Sequence, residues 1–233
     1  MRRVFVLIAY NVLTFRRSSG SAVMINTMPK AGTNLAVGLI GAFGTRKIAL
    51  RRGFRPWLFK SRGDLLHQLG NLRPGYVFNA HLEYGDDIAL ALRNNDVINI
   101  FVRRDLNDLI YSHWFYLKFL DKNHRSYENS LSDEKMLHDI WFGFGAGSGL
   151  KNSYGNYMKW SEIDGVYVVD YEELVRWKTQ NKVPESLRRV FKYEIVQFPK
   201  FFDHYSQTYT GNFAHEYTLN RARIAKLVNS ICV

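Results

Sequence analysis

Ala22-Val23-Met24-Ile25-Asn26-Thr27-Met28-Pro29-Lys30-Ala31-Gly32-Thr33-Asn34-Leu35 is the stretch that decides the fold. Ala22–Asn26 is nearly continuous in apolar character, which predicts a strand covered on both faces rather than a half-exposed one. Asn34–Phe43 is small and apolar and predicts a helix. The residues between them form a tight, glycine-containing turn onto a helix N-terminus. The first N–H groups of a helix have no carbonyl of their own helix to bond, and the positive end of its dipole points the same way. Such a junction is an anion site. Lys30 adds a point charge, Thr33 and Asn34 add short donors, and Gly32 lets the backbone approach a ligand closely.

The same strand-then-helix pattern continues outward. Tyr76–Asn79, Val97–Val102 and Val166–Asp170 read as further buried strands. Asp86–Arg93 and Leu106–Leu120 carry apolar residues at helical spacing. Strand, helix and strand repeated in this order predict an α/β fold: three layers, P-loop-like, with a central, mostly parallel sheet flanked by helices. No repeat, low-complexity tract or Pro/Ser linker divides the chain, so the sequence reads as a single domain over residues 1–233. In such sheets ligands bind beyond the carboxyl ends of the strands, and the residues there carry the information about function.

Composition sets outer bounds. Apolar residues make up 46% and charged residues 23%, which argues against disorder. The one cysteine, Cys232, rules out an internal disulfide and fits a reducing, cytoplasmic setting. Met1-Arg2-Arg3 and the apolar run Val4 to Phe15, followed by Arg16 and Arg17, are too short for a membrane span. They read as a packed terminal element, with peripheral membrane contact through the arginines as the other option. The net charge of +11 attracts polyanions. Seven basic residues and no acidic one fall between Arg46 and Arg62, interleaved with Phe54, Trp57 and Phe59. A solvated basic face or a polyanion-binding surface both have this composition.

Two phosphate-loop patterns are absent. The Walker form G-x-x-x-x-G-K-[ST] does not occur, which disfavours an ordinary P-loop kinase or NTPase. The run Gly143 to Gly149 fits neither that spacing nor G-x-G-x-x-G and reads as a loop.

The Pro29–Leu35 loop resembles the 5′-phosphosulfate loop of sulfotransferases that use 3′-phosphoadenosine 5′-phosphosulfate (PAPS), whose usual form is P-K-[ST]-G-T-[TS]-[WL]. The resemblance places Lys30, Ala31, Gly32, Thr33, Asn34 and Leu35 around the donor. A second match follows the Val97–Val102 strand, in Arg103-Arg104-Asp105-Leu106-Asn107-Asp108-Leu109-Ile110-Tyr111-Ser112. In the family an arginine followed eight positions later by a serine holds the 3′-phosphate, and Arg104 and Ser112 have that separation. An arginine fork suits a terminal phosphate, and a serine hydroxyl can share its oxygens. The plain structural alternatives are an Arg104 paired with Asp105 or Asp108 and a Ser112 that packs a helix.

A third match is Tyr76-Val77-Phe78-Asn79-Ala80-His81-Leu82, which is similar to the family segment where a histidine ends a strand before leucine and proline. Glu83 stands in the proline position. The resemblance gives His81 the role of general base toward the acceptor hydroxyl, a role that an imidazole near neutrality can fill. Glu83 is the rival base, and a core histidine satisfied by a backbone carbonyl is the plain alternative. Tyr154-Gly155-Asn156-Tyr157, Trp160, Val168–Leu174 and Thr210–Tyr217 extend the resemblance from about Ala22 to Val228.

Three departures qualify it. The family's R-K-G clamp should fall near Gln207-Thr208-Tyr209, where no cation stands, leaving Tyr209 and Gly211 as the donor contacts of that segment. Leu35 replaces the tryptophan that stacks on adenine, and the dimerisation motif of the cytosolic group is absent, so nothing sets an oligomeric state. The implied activity is sulfuryl transfer from PAPS, with PAP as product and no metal, to a hydroxyl-bearing acceptor: a glycan, a phenol or another small molecule, anionic ones included. Nucleic acid is not an expected partner. The competing readings are a P-loop phosphotransferase and a non-catalytic polyanion-binding protein.

Overall fold

The structure is a computed structural model and describes residues 20–43, 47–49, 53–120, 132–143, 149–180, 182–188, 190 and 214–231. Tyr209, Gly211, the N-terminal apolar segment, Cys232 and most of the Gly143–Gly149 run lie outside the described residues.

The chain forms two compact units. One comprises Met1–Arg103 with Tyr157–Ser206, and the other Arg104–Asn156 with Gln207–Val233.

The first unit is built on five parallel strands: β1 (Val23–Thr27), the two-residue β2 (Lys47–Ile48), β3 (Tyr76–Ala80), β4 (Ile98–Arg103) and β5 (Val166–Asp170). Their spatial order is β2-β3-β1-β4-β5. Helices α1 (Thr33–Phe43), α2 (Arg62–Leu69) and α3 (Asp86–Asn94) precede β4, and α7 (Tyr171–Gln180) and α8 (Glu185–Arg188) follow β5. The predicted α/β class, a parallel sheet flanked by helices, is what the chain adopts.

All five residues of β1 are buried, as a central parallel strand requires. Because side chains alternate across a strand, Val23 and Ile25 face one layer and Met24 and Asn26 the other. On the first face they join Val77, Ile100, Val102 and Val169 in one core with Leu35, Leu39 and Ile40 of α1 and Leu174 and Trp177 of α7. On the other face lie the buried Leu82, Ile88, Leu92 and Trp160. Asn26 ties that layer to the sheet. Its side-chain amide donates to the Leu82 carbonyl and its Oδ1 accepts from the Leu82 N–H, both at 2.9 Å. The Trp160 indole donates to the same carbonyl at 2.9 Å.

The second unit is helical: α4 (Leu106–Phe115), α5 (Asp133–Phe142), most of α6 (Leu150–Met158) and α9 (Ala214–Ile231). Tyr111, Trp114, Phe115, Phe119 and Tyr217 form its aromatic core, with ring centroids 4.8 to 6.5 Å apart. Arg221 to Asp108 and Arg223 to Asp133, each 2.6 Å, join α9 to α4 and α5. The predicted Leu106–Leu120 helix is α-helical to Phe115 and continues as a wider π turn over Tyr116–Leu120.

Among the described residues no helix is long and apolar enough to cross a membrane. Among those same residues, no group of three or more His, Cys, Asp or Glu side chains is placed to hold a metal ion.

Candidate functional site

The sheet order places a switch point at the carboxyl end of β1. From β1 the chain builds β2 and β3 on one side and then crosses to add β4 and β5 on the other. Crossovers diverge on either side of such a strand, and the crevice this leaves is where open α/β sheets hold ligands. The Pro29–Leu35 loop leaves β1 at that point.

Two backbone positions of the loop are unusual. Lys30 adopts φ 70° and Gly32 φ 96°, so two residues close together lie in the left-handed region. For lysine that conformation carries strain, and strained residues gather where a backbone is shaped for a ligand. Ala31 N–H donates to the Met28 carbonyl at 3.1 Å, closing the turn, and Ala36 N–H donates to Gly32 at 3.0 Å, starting α1. The first turn of α1 contains no acidic residue, so no carboxylate competes there for an anion. Gly32 faces the ring of Tyr171, the first residue of α7. A methyl group on Gly32 would come within 2.5 Å of that ring, so Tyr171 is a wall of the loop.

Thr27, the last residue of β1, links the loop to His81. Its hydroxyl lies 2.6 Å from that of Thr33 and 3.2 Å from His81 Nδ1, and its carbonyl lies 2.9 Å from the same nitrogen. The carbonyl can only accept, so Nδ1 carries the hydrogen and Nε2 is the basic nitrogen. His81 is 8% exposed. Burial, opposed by the Thr27 carbonyl and reinforced by the charges of Arg55 and Lys30, lowers its pKa to about 4. His81 is therefore neutral at physiological pH and can accept a proton at Nε2. The backbone-satisfied core histidine and the general base are not exclusive readings here: the carbonyl bond fixes the tautomer that a base needs.

Arg55 is a residue the motif reading passed over. Phe54 N–H donates to the Asn79 carbonyl and His81 N–H donates to the Phe54 carbonyl, both at 2.8 Å. This pairing lays residue 54 along the end of β3 and puts Arg55 beside His81. Its only sequence signal was membership of the basic Arg46–Arg62 stretch. Glu83, the rival base, is half-buried, and the Tyr157 phenol near it has its pKa raised, by burial first and then by the Glu83 charge.

At the end of β4, the two arginines separate in role. Arg103 pairs across the sheet with Asp170 of β5 through Nε to Oδ1 and, at 3.1 Å, Nη2 to Oδ2. Arg104 starts the second unit, where its Nη2 lies 3.4 Å from the Tyr217 hydroxyl. Asp105 caps α4 by accepting from the N–H groups of Asn107 and Asp108, and Asp108 accepts from Arg221. Ser112 is half-buried on α4.

No family profile and no curated protein sequence matches this chain. Among solved structures 36 chains match, and one is a mouse sulfotransferase, SULT7A1, crystallised in complex with PAP. It is 13% identical, aligns over 93% of this chain and 68% of its own, and has a TM-score of 0.51. At that identity the likeness speaks for the fold.

Proposed function

We propose that this protein is a PAPS-dependent sulfotransferase acting on a hydroxyl. The observation that carries the reading is the convergence of an acid-free helix N-terminus, Lys30 and a neutral, oriented His81 on the carboxyl end of β1. The residues fit a phosphosulfate. Such a group needs backbone donors, a nearby cation and close backbone approach, and Thr33, Asn34, Lys30 and Gly32 offer these at one turn. The neighbour's complex with PAP supports the choice of nucleotide. Arg104 and Ser112 are assigned to the 3′-phosphate from their eight-residue spacing, with Leu35, Tyr209 and Gly211 as further donor contacts.

PAPS, when bound, supplies an activated sulfuryl group. The acceptor oxygen bonds to sulfur as the bond from sulfur to the bridging phosphate oxygen breaks. His81 Nε2 takes the hydroxyl proton while its Nδ1–H holds the Thr27 carbonyl. Lys30 and the first N–H groups of α1 stabilise the negative charge that grows on the departing oxygen. A neutral His81 leaves the Nε2 lone pair available for that proton.

The test has two arms. PAP should raise the melting temperature more than ATP does, and radiolabelled PAPS should pass label to hydroxyl acceptors. His81→Ala should lower turnover by about 10²- to 10⁴-fold with the PAP shift retained. A larger shift with ATP would favour the kinase-like reading, and full activity in His81→Ala would move the base to Glu83.

A further inference from the structure

The basic Arg46–Arg62 stretch supplies no residue to the proposed reaction, and two of its described arginines differ in what holds them. Arg62 is engaged: it forms a two-point pair with Asp87 at 2.8 and 2.6 Å. Arg55 is not held by a carboxylate among the described residues. Its guanidinium lies 6.0 Å from the ring centroid of Trp57, and its buried Nε has no hydrogen-bond partner among the described residues. A buried, unsatisfied charged donor is costly, so its persistence asks for an acceptor that arrives from outside.

The local fold holds this arginine at the base. Gly53 lies so close to Asn79 that a side chain would collide with the Asn79 amide at 2.0 Å. The Phe54 ring stacks on Phe59 at 5.7 Å and meets Phe78 edge-on at 6.0 Å. These contacts anchor both ends of the short Pro56–Leu58 turn, and the turn lifts Trp57 into solvent, where it is 66% exposed. A large, rigid aromatic surface so exposed beside an arginine is suited to a flat or ring-shaped ligand bearing negative charge.

We infer that Arg55 is the specificity-determining residue for the acceptor, binding an anionic group on a hydroxyl-bearing ring that lies against Trp57 while His81 receives the hydroxyl proton. The inference rests on the sulfuryl-transfer reading above and narrows its acceptor to anionic ring compounds, which include carboxylated phenols and acidic sugars. An arginine fork binds a carboxylate through two parallel hydrogen bonds, so it fixes the acceptor's direction as well as its charge.

The experiment uses a matched pair of probes, 4-hydroxyphenylacetate and its neutral amide, with the full chain and its Arg55→Gln, Arg55→Lys and Trp57→Ala variants. Steady-state rates with labelled PAPS and calorimetric titrations of PAP and of each probe are measured in parallel. The wild-type kcat/KM should favour the anion over the amide by about ten- to a hundredfold, the range of one charge-assisted contact. Arg55→Gln should bring that ratio close to one, mainly through KM, and Arg55→Lys should restore part of it. Trp57→Ala should weaken both probes.

An unchanged ratio in Arg55→Gln overturns the inference, and so does a loss of PAP affinity, which would assign Arg55 to the donor. If the wild type fails to bind PAP, the sulfuryl-transfer reading falls. The probe titrations then decide Arg55 alone: anion binding lost in Arg55→Gln upholds it, and binding that is absent or unaltered overturns it.

Discussion

Two strand-to-helix junctions stand at the same edge of the sheet and have opposite electrostatics. After β1 the chain takes a turn with Lys30 and Gly32 at positive φ, and α1 begins with no acid in its first turn. After β5 the helix begins at once with Tyr171, followed by Glu172 and Glu173. Glu173 Oε2 accepts from the Asp170 N–H at 3.0 Å, and the Asp170 carboxylate is paired with Arg103. The N-terminal end of α7 carries carboxylates of its own, one of them bonded back to the strand end, whereas the first turn of α1 carries none. A helix N-terminus alone is not a site, because the dipole is common to both. The difference lies in which residues occupy the first turn and the loop before it. The filled junction also serves the open one, since Tyr171 is the surface against which Gly32 rests.

Experiments can break this contrast from either side. Of changes at the two junctions, the largest effect is expected from Lys30→Ala, which removes the loop's cation. Turnover should fall by about 10²- to 10³-fold, the scale of losing one transition-state charge partner, with the melting temperature nearly unchanged. A parallel collapse of stability would show that Lys30 holds the loop rather than the ligand.

The next effect is a pH dependence set by His81. Its folded pKa of about 4 lies below the ordinary 6.5, so the unfolded chain binds a proton that the folded one refuses. Stability should therefore fall as pH drops from about 6.5 to about 4 and draw no further loss from this group below that. The full span is about 3 kcal/mol. Urea midpoints of wild type and His81→Gln across that range should diverge in slope. Parallel curves would mean that His81 titrates normally.

Asn34→Glu makes the first turn of α1 resemble that of α7. Asn34 is exposed, so the fold should tolerate the change. PAP affinity should drop by about tenfold at low salt, less at high salt, because a carboxylate opposes the phosphates at short range. Affinity unchanged by the new charge would place the phosphates elsewhere. The smallest effect belongs to the filled junction. Glu173→Gln should cost about 1 kcal/mol or less in urea unfolding, with PAP affinity intact.

Much of the candidate site was legible because its chemistry is local. The turn, the positive-φ glycine, the lysine and the helix start are consecutive residues, and their preferences are set by their own backbone. The predicted strand Tyr76–Asn79 ends one residue short of Ala80, and the predicted Val97–Val102 is displaced by one from Ile98–Arg103. That displacement matters for Arg103, which belongs to the strand and to Asp170. The two-residue β2 had no periodicity long enough to register.

The sequence by itself determined a buried parallel sheet, a tight glycine-containing turn onto a helix after its first strand, and a histidine at the end of a later strand. Only the tertiary structure decided that β3 lies beside β1, and so that His81 Nδ1 meets the carbonyl of Thr27, 54 positions away. It also decided that Arg55 stands at that histidine, and that Tyr171 is the wall behind Gly32. The physical reason is that local propensity fixes which residues form a strand, whereas the order of parallel strands follows from how the crossover helices pack onto the sheet. That packing joins residues whose separation along the chain carries no signal of their meeting.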